Sequence, residues 1–559
     1  MESSTLSRRM FWLLLLAVAA IWFGNIEHRK IIPTDEGRYA EIAREMAASG
    51  DWVTPRLNDI KYFEKPPLQY WATATAYKIF GVHQWTARLW VALTGFAGVL
   101  LVGFAGKRLF GPAAGLYAAM LLGSSQLYVQ MAHINTLDMG VTFFLTLGIV
   151  SLLLAQQEVA DAGAVGAQGN KAARNWMWLA WIALALAMMS KGLMGPVLPG
   201  AALFLYCVFQ RDWSVWKRMH WGIGLLLFLL VSAPWFYLVM QANPEFFQKF
   251  FIYEHWTRFT TKELDRYQPW HYFIPILLFG MLPWTLLMFD TVLRAWKNSA
   301  GRVGAFNPVR FLLVWSGFVY VFFSVSGSKL PSYLLPMFPA LALLMGRQLT
   351  LMSERRLFWL IAPTIPLPLL VLAAVPFSDH FAQTPTRQQM VAEYALWLGG
   401  AALCWLAGIV AALLLLRRTR KMAAVLVLAL GSLTAAQLAA SGYNTIARER
   451  SSYLLADAVR PYLKPDMPFY SVGMYDQTLP FYLKRTLTLV DNREKELNFG
   501  IDQEPWRVLP DLPSLAKAWQ AQPEALAIMP TRYYPLLEQE GLAMKILYQN
   551  EASIVVSKP

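Results

Sequence analysis

The chain has 559 residues, of which 56% are hydrophobic and only 15% are charged, a balance that excludes an ordinary soluble protein and indicates a multi-pass membrane protein. Its formal net charge of +14 comes mostly from short connections between apolar segments, and it shows no nucleic-acid-binding pattern. Both cysteines, Cys207 and Cys404, lie in predicted membrane spans, so we expect no disulfide framework.

Apolar runs of about 20 residues, the length of a helix that crosses a bilayer, predict thirteen membrane spans. The first span follows a basic start and lacks a small-residue cleavage site before Glu27 and His28, so we expect a retained anchor rather than a removed signal peptide. The spans are predicted at residues 10–27, 85–106, 112–131, 137–155, 176–190, 193–210, 219–240, 272–293, 309–326, 332–350, 357–376, 391–416 and 422–441.

Positive charges mark one side of the membrane. Lys and Arg collect in alternate short connections, such as Lys107–Arg108 and Arg417–Lys421, and this bias predicts that these connections are cytoplasmic. The two long loops, residues 28–84 and 241–271, then both face outward. Because the number of spans is odd, the tail after Ser441 lies outside as well. We therefore expect the three hydrophilic segments to share one compartment.

The first long loop begins with a charged helical pattern. Asp35, Arg38 and Tyr39 fall at helical spacing, and Gly50 is a typical helix stop. This pattern predicts a short amphipathic helix that lies on the membrane surface. Asp35 and Glu36 occupy its first turn, where carboxylates commonly cap a helix and interact with its dipole. Capping alone would explain both residues without any catalytic role.

A second helix is predicted later in the same loop. Pro66 opens the apolar segment LQYWATATAYKIFG, and Gly81 suits its end. The two predicted surface helices bracket Tyr62, Glu64 and Lys65. We therefore expect this short polar stretch to line the mouth of a site.

Two short outward connections each contribute one charged residue. Asp138 lies at the mouth of the fourth span, where an isolated carboxylate is usually a helix cap. Lys191 lies at the end of the fifth span, where a lysine commonly extends its ammonium group to the membrane surface. Both residues are predicted on the side of the membrane that carries Asp35.

The other outward connections add further ionisable and aromatic groups. Glu254, His255 and Arg258 share one face of a predicted helix, although an isolated His255 would more often be structural. A turn that contains Gly and Pro holds Lys329 and Tyr333 near the membrane surface. Because charges at a membrane edge are costly, several that converge on one leaflet predict a polar cavity.

The tail after Tyr443 has the composition of a small soluble domain. Short apolar runs such as LTLVD, ALAIMP and SIVVS alternate with helical stretches such as PSLAKAWQAQ, a pattern that predicts an α/β domain. The predicted domains are a membrane domain, 1–441, that includes both long loops, and an α/β domain, 442–559. The chain has no P-loop and no dinucleotide-binding glycine pattern, so we expect no nucleotide cofactor.

Several of these segments resemble one known family. PTDEGRYAEIAREMAASGDW followed by KYFEKPP is similar to the lipid A aminoarabinose transferases, the ArnT family, within the GT-C glycosyltransferases. The resemblance extends through most of the membrane domain, in the segments TLD at Asp138, SKG at Lys191, EHWTRF at His255 and GSKLPSY at Tyr333. After Ser441 it reduces to KELNFG around Glu496.

The resemblance implies a fold and an activity. The expected fold is an all-α polytopic GT-C membrane domain of about thirteen transmembrane helices, with periplasmic surface helices and a small periplasmic α/β domain. The expected reaction is inverting transfer of 4-amino-4-deoxy-L-arabinose from undecaprenyl phosphate to the phosphates of lipid A. This reaction modifies lipopolysaccharide and gives resistance to polymyxin. The protein would lie in the bacterial inner membrane, among its lipids, with its active site facing the periplasm.

The resemblance also implies site residues. Cations among them would bind the donor phosphate, since charge develops on the departing polyprenyl phosphate. A carboxylate and an imidazole suit Zn²⁺ best among the divalent metals. Two ligands make an incomplete site, so a water molecule or a substrate oxygen would have to complete it. The expected residues are Asp35, Lys65 and Asp138 as catalytic, Arg38, Tyr39, Tyr62, Lys191, Arg258, Tyr333 and Glu496 as substrate-binding, and Glu64 and His255 as metal-contacting.

Two alternative functions remain open. Protein O-mannosyltransferases share the fold and the acidic first loop, and their acceptor is a Ser or Thr hydroxyl. A transporter of lipid-linked sugars would also need many spans and charges, but we would expect it to have repeated halves and polar groups facing both leaflets. The outward bias of the polar residues favours a transferase.

Overall fold

The structure is a computed structural model that describes residues 8–166, 170–257, 268–298, 306–382, 384–492 and 494–559. The chain forms two compact units. The membrane unit contains Met1–Glu27 and Arg88–Tyr443, and the α/β unit contains His28–Ala87 and Asn444–Pro559.

The membrane unit is helical, as predicted. Its segments include one π-helix, Gln248–Thr257, and several short 3₁₀ turns. The helices are Arg8–Phe23, Gln84–Phe110, Pro112–Leu122, Gln126–Met131, Leu137–Gly166, Lys171–Lys191, Met194–Gln210, Ser214–Lys217, Trp221–Ala242, Gln248–Thr257, Trp270–Tyr272, Phe273–Gly280, Thr285–Asn298, Pro308–Val325, Pro331–Met337, Phe338–Leu351, Glu354–Ile361, Ala362–Thr364, Pro366–Ala374, Val375–Phe381, Pro385–Arg417 and Lys421–Gly442.

Among the described residues, fewer than thirteen helices have the length of a full span. Within the described ranges, nine helices are long and apolar enough to cross a membrane, or ten if the pair Trp270–Gly280 and Thr285–Lys297, bent by 111°, forms one span. Three further apolar helices have 10–17 residues. The predicted span 112–131 is in fact two helices, Pro112–Leu122 and Gln126–Met131, because Gly123–Ser125 interrupts them. An apolar run therefore does not always correspond to one continuous helix.

The α/β unit contains all seven described strands. They are β1 (Arg56–Leu57), β2 (Ile60–Lys61), β3 (Phe469–Val472), β4 (Thr488–Val490), β5 (Leu526–Pro530), β6 (Lys545–Gln549) and β7 (Ser553–Ser557). Its helices are Asp35–Ser49, Leu68–Phe80, Asn444–Arg450, Tyr453–Val459, Arg460–Tyr462, Leu479–Leu483, Lys495–Gln503, Pro505–Arg507, Leu512–Ala521, Thr531–Tyr533 and Tyr534–Gln539.

The tail folds around a five-stranded mixed sheet, which agrees with the α/β prediction. The strand order is β4-β3-β5-β7-β6, with β3 parallel to β4 and β5, and β7 antiparallel to β5 and β6. Val472, Ala527 and Val556 contribute to its core, which also buries Trp519 and Leu537 from the flanking helices. Strands buried in this way are apolar, which explains why the sequence pattern located them.

The first long loop belongs to the same unit as the tail, whereas the predicted division placed it in the membrane domain. Its first helix, Asp35–Ser49, ends at Gly50, which has the left-handed φ of 76°. Residues Glu36 through Met46 of this helix are all buried, so the helix lacks the exposed polar face that the amphipathic pattern predicted. Its place on a membrane surface stays a prediction. The helix is buried because its charged side chains find partners inside the unit: Glu41, for example, pairs with Arg44.

Candidate functional site

The two carboxylates that begin the Asp35–Ser49 helix have different roles. Glu36 is 2% exposed, and its carboxylate accepts hydrogen bonds from both terminal nitrogens of Arg29 at 3.0 Å and from the Ile32 N–H at 3.0 Å. A bidentate pair of this kind fixes the chain before the helix. Glu36 is therefore a structural residue.

Asp35 does not cap the helix. The N-cap residue is Thr34, and no side chain accepts a cap hydrogen bond there. Asp35 Oδ1 is buried without a hydrogen-bond partner, at 3.5 Å from a terminal nitrogen of Arg38. A buried acceptor without a hydrogen bond is rare in folded proteins and suggests a ligand site. The capping interpretation of Asp35 was wrong.

Arg38 lies at the centre of this cluster. It is 2% exposed, forms an ion pair with Glu496, and donates a hydrogen bond to Tyr62 Oη at 3.2 Å. The carboxylates of Asp35 and Glu496 thus both lie beside Arg38, and their negative charge compensates for burying the guanidinium. Its Nε–H has no hydrogen-bond partner. We call Asp35, Arg38, Tyr39, Tyr62, Tyr70 and Glu496 the Arg38 cluster.

Three buried tyrosines surround the guanidinium. Burial raises the pKa of Tyr39, Tyr62 and Tyr70 well above the usual value for a phenol, so these groups stay neutral hydrogen-bond donors. The Tyr39 and Tyr70 rings lie 5.9 Å apart. Tyr70 Oη is buried without a partner. Sequence reasoning missed Tyr70, although it stands in the first turn of a helix predicted to flank the site.

A two-residue hairpin delivers Tyr62 to the cluster. Asn58 and Asp59 connect β1 to β2 with φ of 56° and 60°, as in the tight turns that match strand twist. The Glu45 carboxylate accepts hydrogen bonds from the N–H groups of Asn58 and Asp59 at 2.5 and 2.7 Å. Tyr62 follows β2 directly, and its N–H donates to Pro55 O at 2.9 Å.

Glu64 and Lys65 continue this segment. Both are partly buried, and the Lys65 ammonium donates to the Glu64 carbonyl at 3.0 Å. Pro67 and the helix Leu68–Phe80 follow immediately. The predicted catalytic lysine is thus held between the hairpin and the helix that carries Tyr70.

The helix Lys495–Gln503 places Glu496 against Arg38. Its Gly500 packs so closely on β2 that a Cβ atom there would overlap the Lys61 carbonyl and lie 2.5 Å from Ile60 Cγ2. The rings of Phe63 and Phe499 lie 6.1 Å apart beside this contact. The KELNFG segment therefore contacts the rest of the unit in two ways: the Gly500 backbone packs closely on β2, and Glu496 pairs with Arg38.

A second group of predicted site residues meets in the membrane unit. Asp138 and Lys191 form an ion pair with each side chain 11% exposed. The Lys191 ammonium lies 4.7 Å from the centre of the Tyr333 ring, a cation–π geometry, and Tyr333 packs on Phe323 at 5.0 Å. Asp138 is therefore not an isolated carboxylate and Lys191 is not an isolated surface lysine, because each residue is the other's partner.

The second long loop leaves one prediction open. Arg258 lies outside the described residues, and so does the side chain of His255. Glu254 pairs with Lys249 at 3.1 Å. In the described part of the chain, no group of three or more His, Cys, Asp or Glu could hold a metal ion. A metal site at Glu64 and His255 stays a prediction.

Comparison with known proteins identifies relatives of both parts of the chain. A family model described as "Aminoarabinose transferase C-terminal domain" matches residues 455–558, and one described as "Dolichyl-phosphate-mannose-protein mannosyltransferase" matches residues 9–250. The undecaprenyl phosphate-alpha-4-amino-4-deoxy-L-arabinose arabinosyl transferase 1 of Pseudomonas fluorescens is 33% identical over 345 residues, which are 61% of this chain and 58% of that protein. The chain thus spans less than two thirds of the curated relatives it matches.

Solved structures match over nearly the whole chain. The crystal structure of ArnT from Cupriavidus metallidurans bound to undecaprenyl phosphate is 36% identical, with a TM-score of 0.91 over 99% of this chain and 98% of that one. An oligosaccharyltransferase from Archaeoglobus fulgidus has a TM-score of 0.50 at 11% identity, with 100% of this chain and 75% of that one covered. This second likeness concerns the fold alone.

The close approach at Gly500 predicts an effect on stability. We expect Gly500→Ala to lower the thermal unfolding midpoint of the full-length protein in detergent, because overpacking typically costs about 1–3 kcal/mol. Asn498→Ala, at an exposed position of the same helix, is the matched control and should leave the midpoint unchanged. An unchanged midpoint for Gly500→Ala would show that the contact is not tight.

Proposed function

Because the chain belongs to the aminoarabinose transferase (ArnT) family, we propose that it is an inverting glycosyltransferase that moves 4-amino-4-deoxy-L-arabinose from undecaprenyl phosphate to lipid A phosphates. The likeness over 98% of the length of a relative bound to undecaprenyl phosphate is the observation that carries this proposal. The chain is a multi-pass membrane protein. We place it in the bacterial inner membrane with its active site on the periplasmic side, in agreement with the charge bias of its connections.

The proposed reaction is a direct displacement at the anomeric carbon of the sugar. An oxygen of the lipid A phosphate attacks this carbon, and the bond from the carbon to the donor phosphate oxygen breaks. The bonding electrons leave with undecaprenyl phosphate, so negative charge grows on the departing group. Fixed cations favour such a transition state. We assign this role to Lys65 and Arg258, with Lys191 as a further cation.

The Arg38 cluster would recognise the sugar. Asp35 presents an acceptor without a hydrogen bond, and Tyr70 presents a hydroxyl without one. A carboxylate suits the cationic amino group of this sugar, and neutral phenols suit its hydroxyl groups. Arg38 would fix the carboxylates of Asp35 and Glu496 in position. Asp138 would act with Lys191, its ion-pair partner.

Protein O-mannosylation is the second candidate, because the mannosyltransferase family model matches residues 9–250. Its acceptor would be a Ser or Thr hydroxyl, which needs a general base to remove a proton. A phosphate acceptor needs none, since its oxygen is already ionised at neutral pH. A transporter is the least supported function, because the matched relatives are transferases.

Loss of the gene should remove aminoarabinose from lipid A, and mass spectrometry of lipid A would detect this. Restoring the wild-type gene should return the modification, whereas Lys65→Ala should reduce it at least about tenfold while the protein is still made and folded. Lys517→Ala, an exposed lysine of the α/β unit, serves as the control. Normal modification by Lys65→Ala would exclude this role for Lys65. Unchanged lipid A with loss of protein-bound mannose would favour the second candidate.

The role of Asp35 can be read from the pH dependence of the rate. If Asp35 orients the sugar, the Asp35→Asn variant should bind the donor more weakly. The pH profile of the wild-type rate should then show no limb that reports the ionisation of a single carboxylate acting as a base. A missing general base typically costs about 10²- to 10⁴-fold in rate. Rates measured with purified lipid donor and lipid A would distinguish the roles. Unchanged donor affinity together with loss of an acidic limb in the Asp35→Asn profile would contradict the orienting role.

We also propose that Glu64 and His255 contact a divalent metal, with Zn²⁺ preferred, since carboxylate and imidazole are typical zinc ligands. Purified wild-type protein should then contain metal by elemental analysis, and the Glu64→Ala, His255→Ala double variant should contain less. The Glu254→Ala variant, which keeps both proposed ligands, is the control. Equal metal content in the wild type and the double variant would remove this site.

A further inference from the structure

The membrane unit contains a long apolar groove that the proposed reaction does not use. Its volume is about 470 Å³, within the range of ligand-binding pockets. Four helical segments form its walls, and Leu100 and Phe104 on one wall are 45% and 40% exposed. The groove is lined by Leu14, Leu15, Val18, Phe96, Val99, Leu100, Gly103, Phe104, Lys107, Pro112, Gly115, Leu116, Ala119, Met120, Gly123, Ser124, Leu426, Ala429, Leu430 and Leu433.

The groove has the length of one membrane leaflet. On the helix Gln84–Phe110 its lining residues form one stripe from Phe96 to Lys107. At a rise of about 1.5 Å per residue this stripe is roughly 16 Å long, close to half of the bilayer's hydrocarbon thickness of about 30 Å. Gly115 lets the neighbouring helix pack closely on this stripe, because a Cβ atom there would overlap the Gly103 carbonyl. The space therefore fits an extended hydrocarbon chain.

A single charged side chain stands at one end of this groove. Lys107 is exposed, whereas the neighbouring Arg108 pairs with Glu158. In the part of the chain that the structure describes, Lys107 has no ion-pair or hydrogen-bond partner for its ammonium group. At the opposite end, the Ser124 hydroxyl is used internally, because it donates to Met120 O and accepts from Trp284 Nε1. The groove is thus an apolar channel with the ammonium group of Lys107, unpaired within the described chain, at one end.

We propose that this groove binds one acyl chain of an anionic phospholipid from the cytoplasmic leaflet, with the lipid phosphate on Lys107. Basic pockets between membrane helices on the cytoplasmic side are typical sites for anionic lipid head groups. The connection after Lys107 belongs to the side that the charge bias predicts to be cytoplasmic. An apolar groove that is open to the bilayer is filled by lipid. The positive charge of Lys107 then favours a lipid with an anionic head group.

The occupant is a phospholipid rather than the polyprenyl donor. The free cation lies at the cytoplasmic end, whereas the proposed reaction needs the donor phosphate on the opposite side of the membrane. The groove is also only one leaflet long, which suits an acyl chain better than a much longer polyprenyl chain. This choice between occupants depends on the proposed function, but the anionic-lipid site itself does not.

Native mass spectrometry of the delipidated full-length protein would test the proposal. Titration with phosphatidylglycerol and with zwitterionic phosphatidylcholine of the same acyl chains should show about fivefold tighter binding of phosphatidylglycerol. Lys107→Gln should abolish this preference. Lys171→Gln, which removes another exposed lysine of the same predicted side, should keep it. Equal binding of the two lipids by the wild type, or a preference that survives Lys107→Gln, would overturn the proposal.

A second pair of variants tests the groove itself. Leu100→Trp should fill the groove and weaken binding of both lipids, while Leu93→Trp, at a similarly exposed position of the same helix outside the groove, should not. Leu116→Trp repeats the test from the opposite wall if Leu100→Trp fails to fold. Equal lipid binding by the groove-filled variant and Leu93→Trp would contradict the proposal. Displacement of phosphatidylglycerol by substoichiometric undecaprenyl phosphate would assign the groove to the donor instead.

Discussion

The ion pair of the buried Arg38 with the partly exposed Glu496 joins the two sequence-distant parts of the α/β unit. A guanidinium that is 2% exposed needs compensating charge. The two partners come from the first loop and from the tail, which are far apart in sequence. Closing this pair requires the hairpin at Asn58 and the close approach of Gly500 to β2. The electrostatic requirement and the backbone packing therefore support the same arrangement.

The same requirement explains why a highly charged helix is buried. Along Asp35–Ser49, Glu36 binds Arg29 and Glu41 binds Arg44, while Glu45 accepts two backbone N–H groups. Burial and the nearby Glu41 raise the pKa of Glu45, so this carboxyl retains a proton more readily in the folded unit, and this contribution to stability is lost as pH rises through the raised value. A helix with so many internal partners needs no contact with water.

The sequence predicted the parts of the structure that depend on local patterns. The buried tail strands β3, β4, β5 and β7 were found because buried strands are short apolar runs. The ends at Gly50 and Gly81 were found because glycine suits helix ends. The burial of Asp35–Ser49 was not predictable, because charged residues with distant partners have the same pattern as solvated ones. The pairing of Asp138 with Lys191 was missed for this reason, although both residues were named. Tyr70 was missed because a tyrosine in an apolar helix carries no special signal.

Charge pairing also separates structural residues from candidate binding residues in this chain. Glu36 pairs with Arg29 and Glu41 pairs with Arg44 within the fold. Removal of any of these side chains would therefore be felt mainly as lost stability. Asp35 Oδ1 and Tyr70 Oη instead retain unused hydrogen-bonding capacity in a buried place. A folded protein normally avoids such atoms unless a ligand or water completes them. Such atoms also occur elsewhere in the described chain, so it is their grouping beside one buried guanidinium that supports the proposed place of substrate recognition.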